Sequence, residues 1–132
     1  MRPLGKFHEL VGPLYAAERG DRTVVGLRVE EKHLNGGNIL HGGMYFTLLD
    51  TAMSRACLRL RRPDVFPATV SLSSDLIAAA RPGDWIEAEV DVLRAGQRLV
   101  FLNCIVRRDG PEGDPLARGS ATFQLITPPR RS

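Results

Sequence analysis

The 132-residue chain has few of the features that mark specialised classes of protein. No apolar run approaches the roughly 18–20 residues that a helix needs to cross a bilayer, and the first residues lack the apolar core of a signal peptide. Hydrophobic residues make up 43% and charged residues 25%, as in soluble globular domains. We therefore expect one cytoplasmic domain over 1–132, with a core at about 7–127, a frayed tail at 128–132 and no membrane partner.

Cysteine is scarce. Cys57 and Cys104 lie far apart in the sequence, in apolar surroundings. Neither belongs to a spacing that is typical of metal sites, so we expect no metal. A nucleophilic cysteine needs a nearby base, which the sequence does not place beside either one. We expect two buried free thiols.

Aromatic residues amount to only 6% of the chain, and 16 of its 18 basic residues are arginine, with a net charge of +3. Few aromatics are interleaved with the basic residues and no recognition motif is present, which argues against a nucleic-acid partner. Because arginine forks match phosphate oxygens, the composition is compatible with a small ligand that carries phosphate. For any single arginine the alternative is a solvated face.

Residue patterns predict one long helix among strands. We expect a short helix over 4–11, strands over 14–18 and 23–29, a loop over 30–40, and the main helix from Gly42 to about Leu60. Four more strands are predicted, over 68–77, 84–94, 97–107 and 116–126, with a hairpin turn at Ala95-Gly96. This order predicts the α+β class, with an antiparallel sheet wrapped around the helix.

The main helix carries an apolar stripe at helical spacing, formed by Tyr45, Leu48, Leu49, Ala52, Ala56 and Leu60. Its acidic residue, Asp50, lies off that stripe, on a face shared with Gly43, Thr47, Ser54 and Cys57. The alternation of apolar and polar residues along the predicted strand over 84–94 places Val92 on the same, inner, face as Ile86. Since the sheet covers one side of the helix, the face of Asp50 must meet solvent or a second subunit.

The chemistry-bearing residues gather where the loop meets the helix. Two glycines, Gly42 and Gly43, begin the helix, where free amide N–H groups can stabilise negative charge that develops on a carbonyl oxygen. We predict the Gly42 N–H as the main donor and Asp50 as a general base or nucleophile. The alternatives are a glycine turn that only starts the helix and a solvated aspartate.

Two further side chains are candidates for the same site. His41 is predicted to hydrogen-bond the loop or to orient the carbonyl. Asn35 is predicted to hold the attacking water or the substrate, or else to be a turn residue in its Asn/Gly-rich loop.

At these residues the chain resembles the hotdog-fold acyl-CoA thioesterases, most closely the PaaI-like branch, over residues 7–127. Asn35 lies six residues before His41-Gly42-Gly43, Asp50 lies nine residues after that histidine, and Thr69 takes the place of a strand Ser or Thr that reaches the site. The resemblance implies that Thr69 hydrogen-bonds the water or Asp50; the alternative is a β-branched strand residue. The turn Arg81-Pro82-Gly83-Asp84 is also similar. The segment Leu76-Ile77-Ala78-Ala79-Ala80 departs from the family pattern of an aromatic before Pro-Ala-like residues.

The resemblance implies an activity and an assembly. The activity is hydrolysis of a small-to-medium or aryl acyl-CoA to a free acid and CoA, by water attack that Asp50 assists, with no cofactor beyond the CoA of the substrate. The assembly is a homodimer with shared sites, in which Asp50 and Thr69 of one subunit face Asn35, His41 and Gly42 of the other. Family members often pair such dimers into tetramers.

The expected substrate also needs contacts for its CoA portion. We predict Arg61 and Arg62 after the helix, and Arg94 and Arg98 around the hairpin turn, as phosphate contacts, with Gly43 close to the thioester. A hydroxyacyl dehydratase on the same fold is one alternative, which the spacing of the motif argues against. A non-catalytic acyl-CoA or lipid binder is the other, and the sequence does not exclude it.

Overall fold

A six-stranded antiparallel sheet and one long helix make up most of residues 5–128, the part of the chain that the computed structural model describes. Residue 4 of the predicted first helix and residues 129–132 of the predicted tail lie outside this part. The elements are α1 (Lys6–Val11), β1 (Leu14–Arg19), β2 (Arg22–Arg28), α2 (Gly42–Leu58), β3 (Phe66–Leu76), β4 (Trp85–Ala95), β5 (Leu99–Arg108) and β6 (Pro115–Ile126). The predicted loop at 30–40 also contains a short 3-10 turn, Glu31–His33.

The strands lie in the order β1-β2-β4-β5-β6-β3, and each pairs antiparallel with its neighbours. Helix α2 packs across β2, β3, β4, β5 and β6, so the curved sheet surrounds one side of it. The predicted α+β class and wrapped helix are confirmed. No helix within residues 5–128 is long and apolar enough to span a membrane.

Alternating burial along the strands forms the core against α2. In β5 every second residue is buried, from Val100 to Val106, and in β4 Ile86, Ala88 and Val90 point inward as predicted. Val92 keeps the predicted face, since it lies opposite the buried Leu102, but it is 37% exposed. The pairing of β4 with β5 shifts by one residue only after Val92, before Arg94.

The apolar stripe of α2 is buried as predicted, from Tyr45 to Ala56. Leu60 lies beyond the helix end and is only half-buried. The placement of Cys57 on the open face with Asp50 is wrong, since Cys57 is buried in the core. The buried arc of α2 widens towards its C-terminal end, where the consecutive residues 51–53 are all buried. The open face of the first half therefore narrows beyond Asp50, and at the C-terminal end of the helix Leu58 is exposed.

Candidate active site

His41 caps the start of α2. Its backbone is extended, and its ring Nδ1 accepts a hydrogen bond of 2.8 Å from the Gly43 N–H. A ring nitrogen that accepts carries no hydrogen, so the neutral ring has its hydrogen on Nε2. This ring contact is with the first turn of α2 and not with the loop that was predicted, and it satisfies one of the N–H groups that a helix start leaves without partners.

Gly42 presents the free amide of this helix start. The Gly43 N–H is taken by the His41 ring, and the Met44 N–H donates to the His41 carbonyl oxygen at 2.9 Å. Within residues 5–128 the Gly42 N–H donates to no acceptor. It lies at the positive end of the helix dipole, where an anionic oxygen is stabilised. Of the two glycines, Gly42 is thus the one able to donate to a ligand.

Asp50 lies two turns further along α2 and meets β3. The Thr69 hydroxyl donates a hydrogen bond of 2.6 Å to Asp50 Oδ1. Thr69 lies opposite Phe123 of β6, whose side chain is buried under α2, and directly opposite residues share one face of a sheet. Asp50 is half-buried and Thr69 is exposed, so water can reach the carboxylate. The structure brings this predicted pair together.

Gly42 and Asp50 of one chain are too far apart to act on one carbonyl group. Eight residues of α-helix separate them by about 12 Å along the axis. The Gly42 N–H also points beyond the start of the helix, away from Asp50. A carbonyl oxygen bound to that N–H would lie further still from the carboxylate.

The candidate site has two halves, the Asp50–Thr69 pair and the Gly42 N–H, which lie near opposite ends of β3. Thr69, beside Asp50, is close to the start of the strand. At the other end, the Leu76 Cδ1 atom lies 3.1 Å from the position that a Cβ on Gly42 would take. Among residues 5–128, β3 is an edge of the sheet and pairs only with β6, so its other side carries backbone groups without strand partners there.

Asn35 is a turn residue, which was the alternative to the prediction that it holds the attacking water or the substrate. Its side-chain oxygen accepts hydrogen bonds from the N–H groups of Gly37, at 2.9 Å, and Ile39, at 3.3 Å. These bonds shape the loop that leads to His41. Within one chain no contact joins Asn35 to Asp50 or Thr69 among the described residues.

The four predicted phosphate-binding arginines gather at the far end of α2. Arg62 donates to the backbone carbonyl oxygens of Ala95, Gly96 and Gln97, which holds the β4–β5 turn against the end of the helix. The remaining three, Arg61, Arg94 and Arg98, are exposed at that end. The 17 residues of α2 place this cluster about 25 Å from Gly42.

Sequence reasoning missed His33, which is only 4% exposed. Its Nδ1 accepts from the Glu30 N–H at 2.9 Å, and its Nε2–H donates to the Val11 carbonyl oxygen at the end of α1. Its own carbonyl oxygen accepts from the His41 N–H at 2.9 Å. The signal was the spacing of three between Glu30 and His33, which here forms a capping box.

The cysteines lie apart from this site. Both are buried free thiols, as predicted. Burial raises the pKa of Cys57 to about 12 and also raises that of Cys104, so neither is a thiolate near neutral pH. Among residues 5–128 no group of three His, Cys, Asp or Glu side chains is arranged to hold a metal ion.

Comparisons with known proteins agree on one family. The family model described as the thioesterase superfamily matches residues 37–113. The chain is 39% identical over 96 residues to PA0474 of Pseudomonas aeruginosa, which is named as a candidate esterase, with 72% of each chain covered. It is 30% identical over 106 residues to acyl-coenzyme A thioesterase 13 of Homo sapiens, covering 79% of this chain and 73% of that one. The fold matches E. coli PaaI with a TM-score of 0.80 at 20% identity, over 92% and 85% of the two chains.

Proposed function

We propose that this chain, which belongs to the thioesterase superfamily and hydrolyses thioesters, acts on acyl-CoA and releases a free acid and CoA. The observation that carries the proposal is the pair of half-sites near the two ends of β3. One half holds a carboxylate that water can reach, and the other holds an unoccupied N–H at a helix start. The similarity to acyl-coenzyme A thioesterase 13 supports CoA as the thiol portion.

The chemistry needs only water besides the substrate. The Gly42 N–H donates to the thioester carbonyl oxygen and stabilises the negative charge that forms there. Asp50 accepts a proton from a water molecule as the water oxygen attacks the carbonyl carbon. The tetrahedral intermediate then expels the CoA sulfur, which takes up a proton. Thr69 holds the carboxylate of Asp50 in place through its 2.6 Å hydrogen bond.

The site is completed by a second copy of the chain, because one chain separates Asp50 from Gly42 by about 12 Å along α2. Antiparallel pairing of two β3 edges, related by a two-fold axis near the middle of the strand, would place Thr69 of one copy opposite Leu76 of the other. Since Leu76 contacts the position next to Gly42, Asp50 of one copy then meets Gly42 of its mate.

This pairing also accounts for the exposed edge. β3 is 11 residues long and contains a single charged residue, Asp75. Long, weakly charged edge strands tend to pair with another chain. A homodimer with two shared sites satisfies the backbone groups of the edge and covers the open face of α2 in one step. Asn35 then approaches the partner's half-site through the loop that it shapes.

For the CoA portion we retain the three exposed arginines, Arg61, Arg94 and Arg98, as phosphate contacts. They lie beyond Asp50 towards the end of α2, where phosphates can reach them from solvent. Arg62 is assigned instead to the β4–β5 turn, because its guanidinium donates to three backbone carbonyl oxygens.

The test is thiol release from acetyl-, hexanoyl-, decanoyl- and benzoyl-CoA by the wild type and by Asp50→Asn. The amide keeps the shape of the side chain and removes the base, so the rate should fall by a hundredfold or more. Equal rates in the two proteins would reject Asp50 as the base. Binding of acyl-CoA without turnover would indicate the non-catalytic alternative, and hydration of crotonyl-CoA would indicate the dehydratase.

A further inference from the structure

A cleft of about 550 Å³ opens between α1 and the start of α2. This volume is within the range of pockets that hold small ligands. Leu10, Val11 and Met44 supply an apolar wall, and the charged Lys32 and the polar His33, His41 and Thr47 line the remainder. None of these residues except His41 has a part in the chemistry described above.

The cleft begins next to the proposed carbonyl site. His41 and Gly43, which line it, are the two neighbours of Gly42 in the chain. A thioester whose oxygen accepts from the Gly42 N–H has two substituents, the acyl group and the CoA sulfur. The apolar walls suit the acyl group, whereas the exposed arginines lie at the opposite end of α2.

Resting on the proposed function, we propose that this cleft receives the acyl group and that Leu10 sets the length of the acyl group that the enzyme accepts. Leu10 is 74% exposed although it is a large apolar residue. A side chain of this kind at the wall of an apolar cleft gains contacts when a hydrocarbon chain fills the space.

The wall that carries Leu10 is held by tertiary contacts. α1 has only six residues, too few to form a stable helix alone. The His33 ring donates to the Val11 carbonyl oxygen at its end. Nearer its start, the His8 Nε2 atom lies 3.0 Å from the Thr51 hydroxyl of α2. These contacts fix the distance between Leu10 and the start of α2, and therefore the depth of the cleft.

The experiment compares kcat/KM across acetyl-, hexanoyl- and decanoyl-CoA for Leu10→Trp, Leu10→Ala and the control Phe7→Trp. Phe7 is exposed on the same helix but does not line the cleft. Leu10→Trp should lower kcat/KM for the longest accepted substrate about tenfold or more relative to acetyl-CoA, and Leu10→Ala should move the preference towards longer chains. Phe7→Trp should keep the wild-type profile.

Two outcomes would overturn the inference. In one, the Leu10 variants keep the wild-type ratio between long and short substrates. In the other, KM rises equally for every substrate, acetyl-CoA included, which would mean that the cleft holds part of CoA. Both outcomes presuppose hydrolysis that depends on Asp50, so they differ from failure of the proposed function, in which the wild type itself releases no thiol.

Discussion

Thr69 on β3 donates a 2.6 Å hydrogen bond to Asp50 on α2, across the gap between the edge strand and the helix. The two residues are 19 positions apart in the sequence and share no element. Within residues 5–128 no hydrogen bond engages the second carboxylate oxygen, and Asp50 is only half-buried. The Thr69 hydroxyl thus orients one carboxylate oxygen of Asp50, and the other oxygen is left to accept a proton.

Replacing Thr69 by Val should slow catalysis while the fold is kept. Valine has nearly the same shape but no hydroxyl, so Asp50 loses the donor that orients it. A hydrogen bond to a charged group contributes about 1.5–3 kcal/mol, which corresponds to a fall in kcat of roughly tenfold to a hundredfold. Steady-state thiol release measures this change. Thr69→Ser restores the hydroxyl and should recover most of the rate; failure of serine to do so would show that the hydroxyl has no such role.

The Gly42 N–H can be removed with little disturbance of the helix. Gly42 is the first residue of α2, where proline is tolerated, and His41 before it is already extended at φ −60 and ψ 133. Gly42→Pro should lower kcat about a hundredfold to a thousandfold, the usual effect of losing one oxyanion donor. Gly42→Ala is the matched control, since it adds a Cβ near Leu76 but keeps the N–H. Equal loss in both variants would assign the effect to crowding by Leu76.

The same variant tests whether the site is shared between subunits. Asp50→Asn and Gly42→Pro should each be nearly inactive alone. In a mixed dimer, the intact Asp50 of one chain faces the intact Gly42 of the other. Refolding the two variants together should therefore restore about a quarter of the wild-type activity, since half of the dimers are mixed and each has one intact site. Activity no higher than the sum of the two separate variants would contradict a shared site.

Phe46 lies on α2 midway between Gly42 and Asp50, on the same face, and is 39% exposed. In the proposed dimer, where Asp50 meets Gly42 of the second copy, the midpoint falls on the two-fold axis and Phe46 meets its own counterpart. Phe46→Glu replaces two buried aromatic rings by two like charges. Since each ring contributes about 1.5–3 kcal/mol, the dissociation constant of the dimer should rise about a hundredfold or more.

Sedimentation equilibrium measures this change, and thiol release should fall in step with dissociation. Leu58→Glu is the control, because Leu58 is also an exposed apolar residue of α2 but lies at the far end of the helix. A dimer equally stable in Phe46→Glu and in the wild type would place the two-fold axis elsewhere.

Local sequence patterns were sufficient for the elements because periodicity reports which side of a helix or strand meets the core. They failed where the global shape of the sheet decides. Cys57 is buried because the core surrounds more of α2 towards its end, and Val92 is 37% exposed although it lies opposite the buried Leu102. Neither feature can be predicted from the neighbouring residues in the sequence.

The candidate site, like the fold, was predictable from the sequence only in part. The motif spacing led to Asp50, Thr69 and Gly42, but the sequence did not reveal that the Gly43 N–H is taken by the ring of His41. That bond depends on the extended backbone of the histidine and on its ring nitrogen, which together make it the helix cap.

Glu87 provides a pH-dependent contribution to stability that can be measured apart from activity. Burial opposes its ionisation, but hydrogen bonds from Trp85, at 2.8 Å, and Arg19, at 2.8 Å, prevail and lower its pKa. A carboxyl whose pKa is lower in the folded protein stabilises the fold above its unfolded pKa of about 4.3 and loses this effect as pH falls through the folded value. Glu87→Gln should therefore unfold at a lower temperature than the wild type near pH 7.

The difference in Tm between wild type and Glu87→Gln should shrink as the pH is lowered from 6 to 3, because protonation of Glu87 in the wild type removes the same charge that the substitution removes. Thermal unfolding followed by circular dichroism at stepped pH measures it. Glu112→Gln is the control, since Glu112 is an exposed loop residue between β5 and β6, and it should show little difference at any pH. A Glu87→Gln difference that stays constant down to pH 3 would mean that the hydrogen bonds, and not the ionisation of Glu87, account for its stabilising effect.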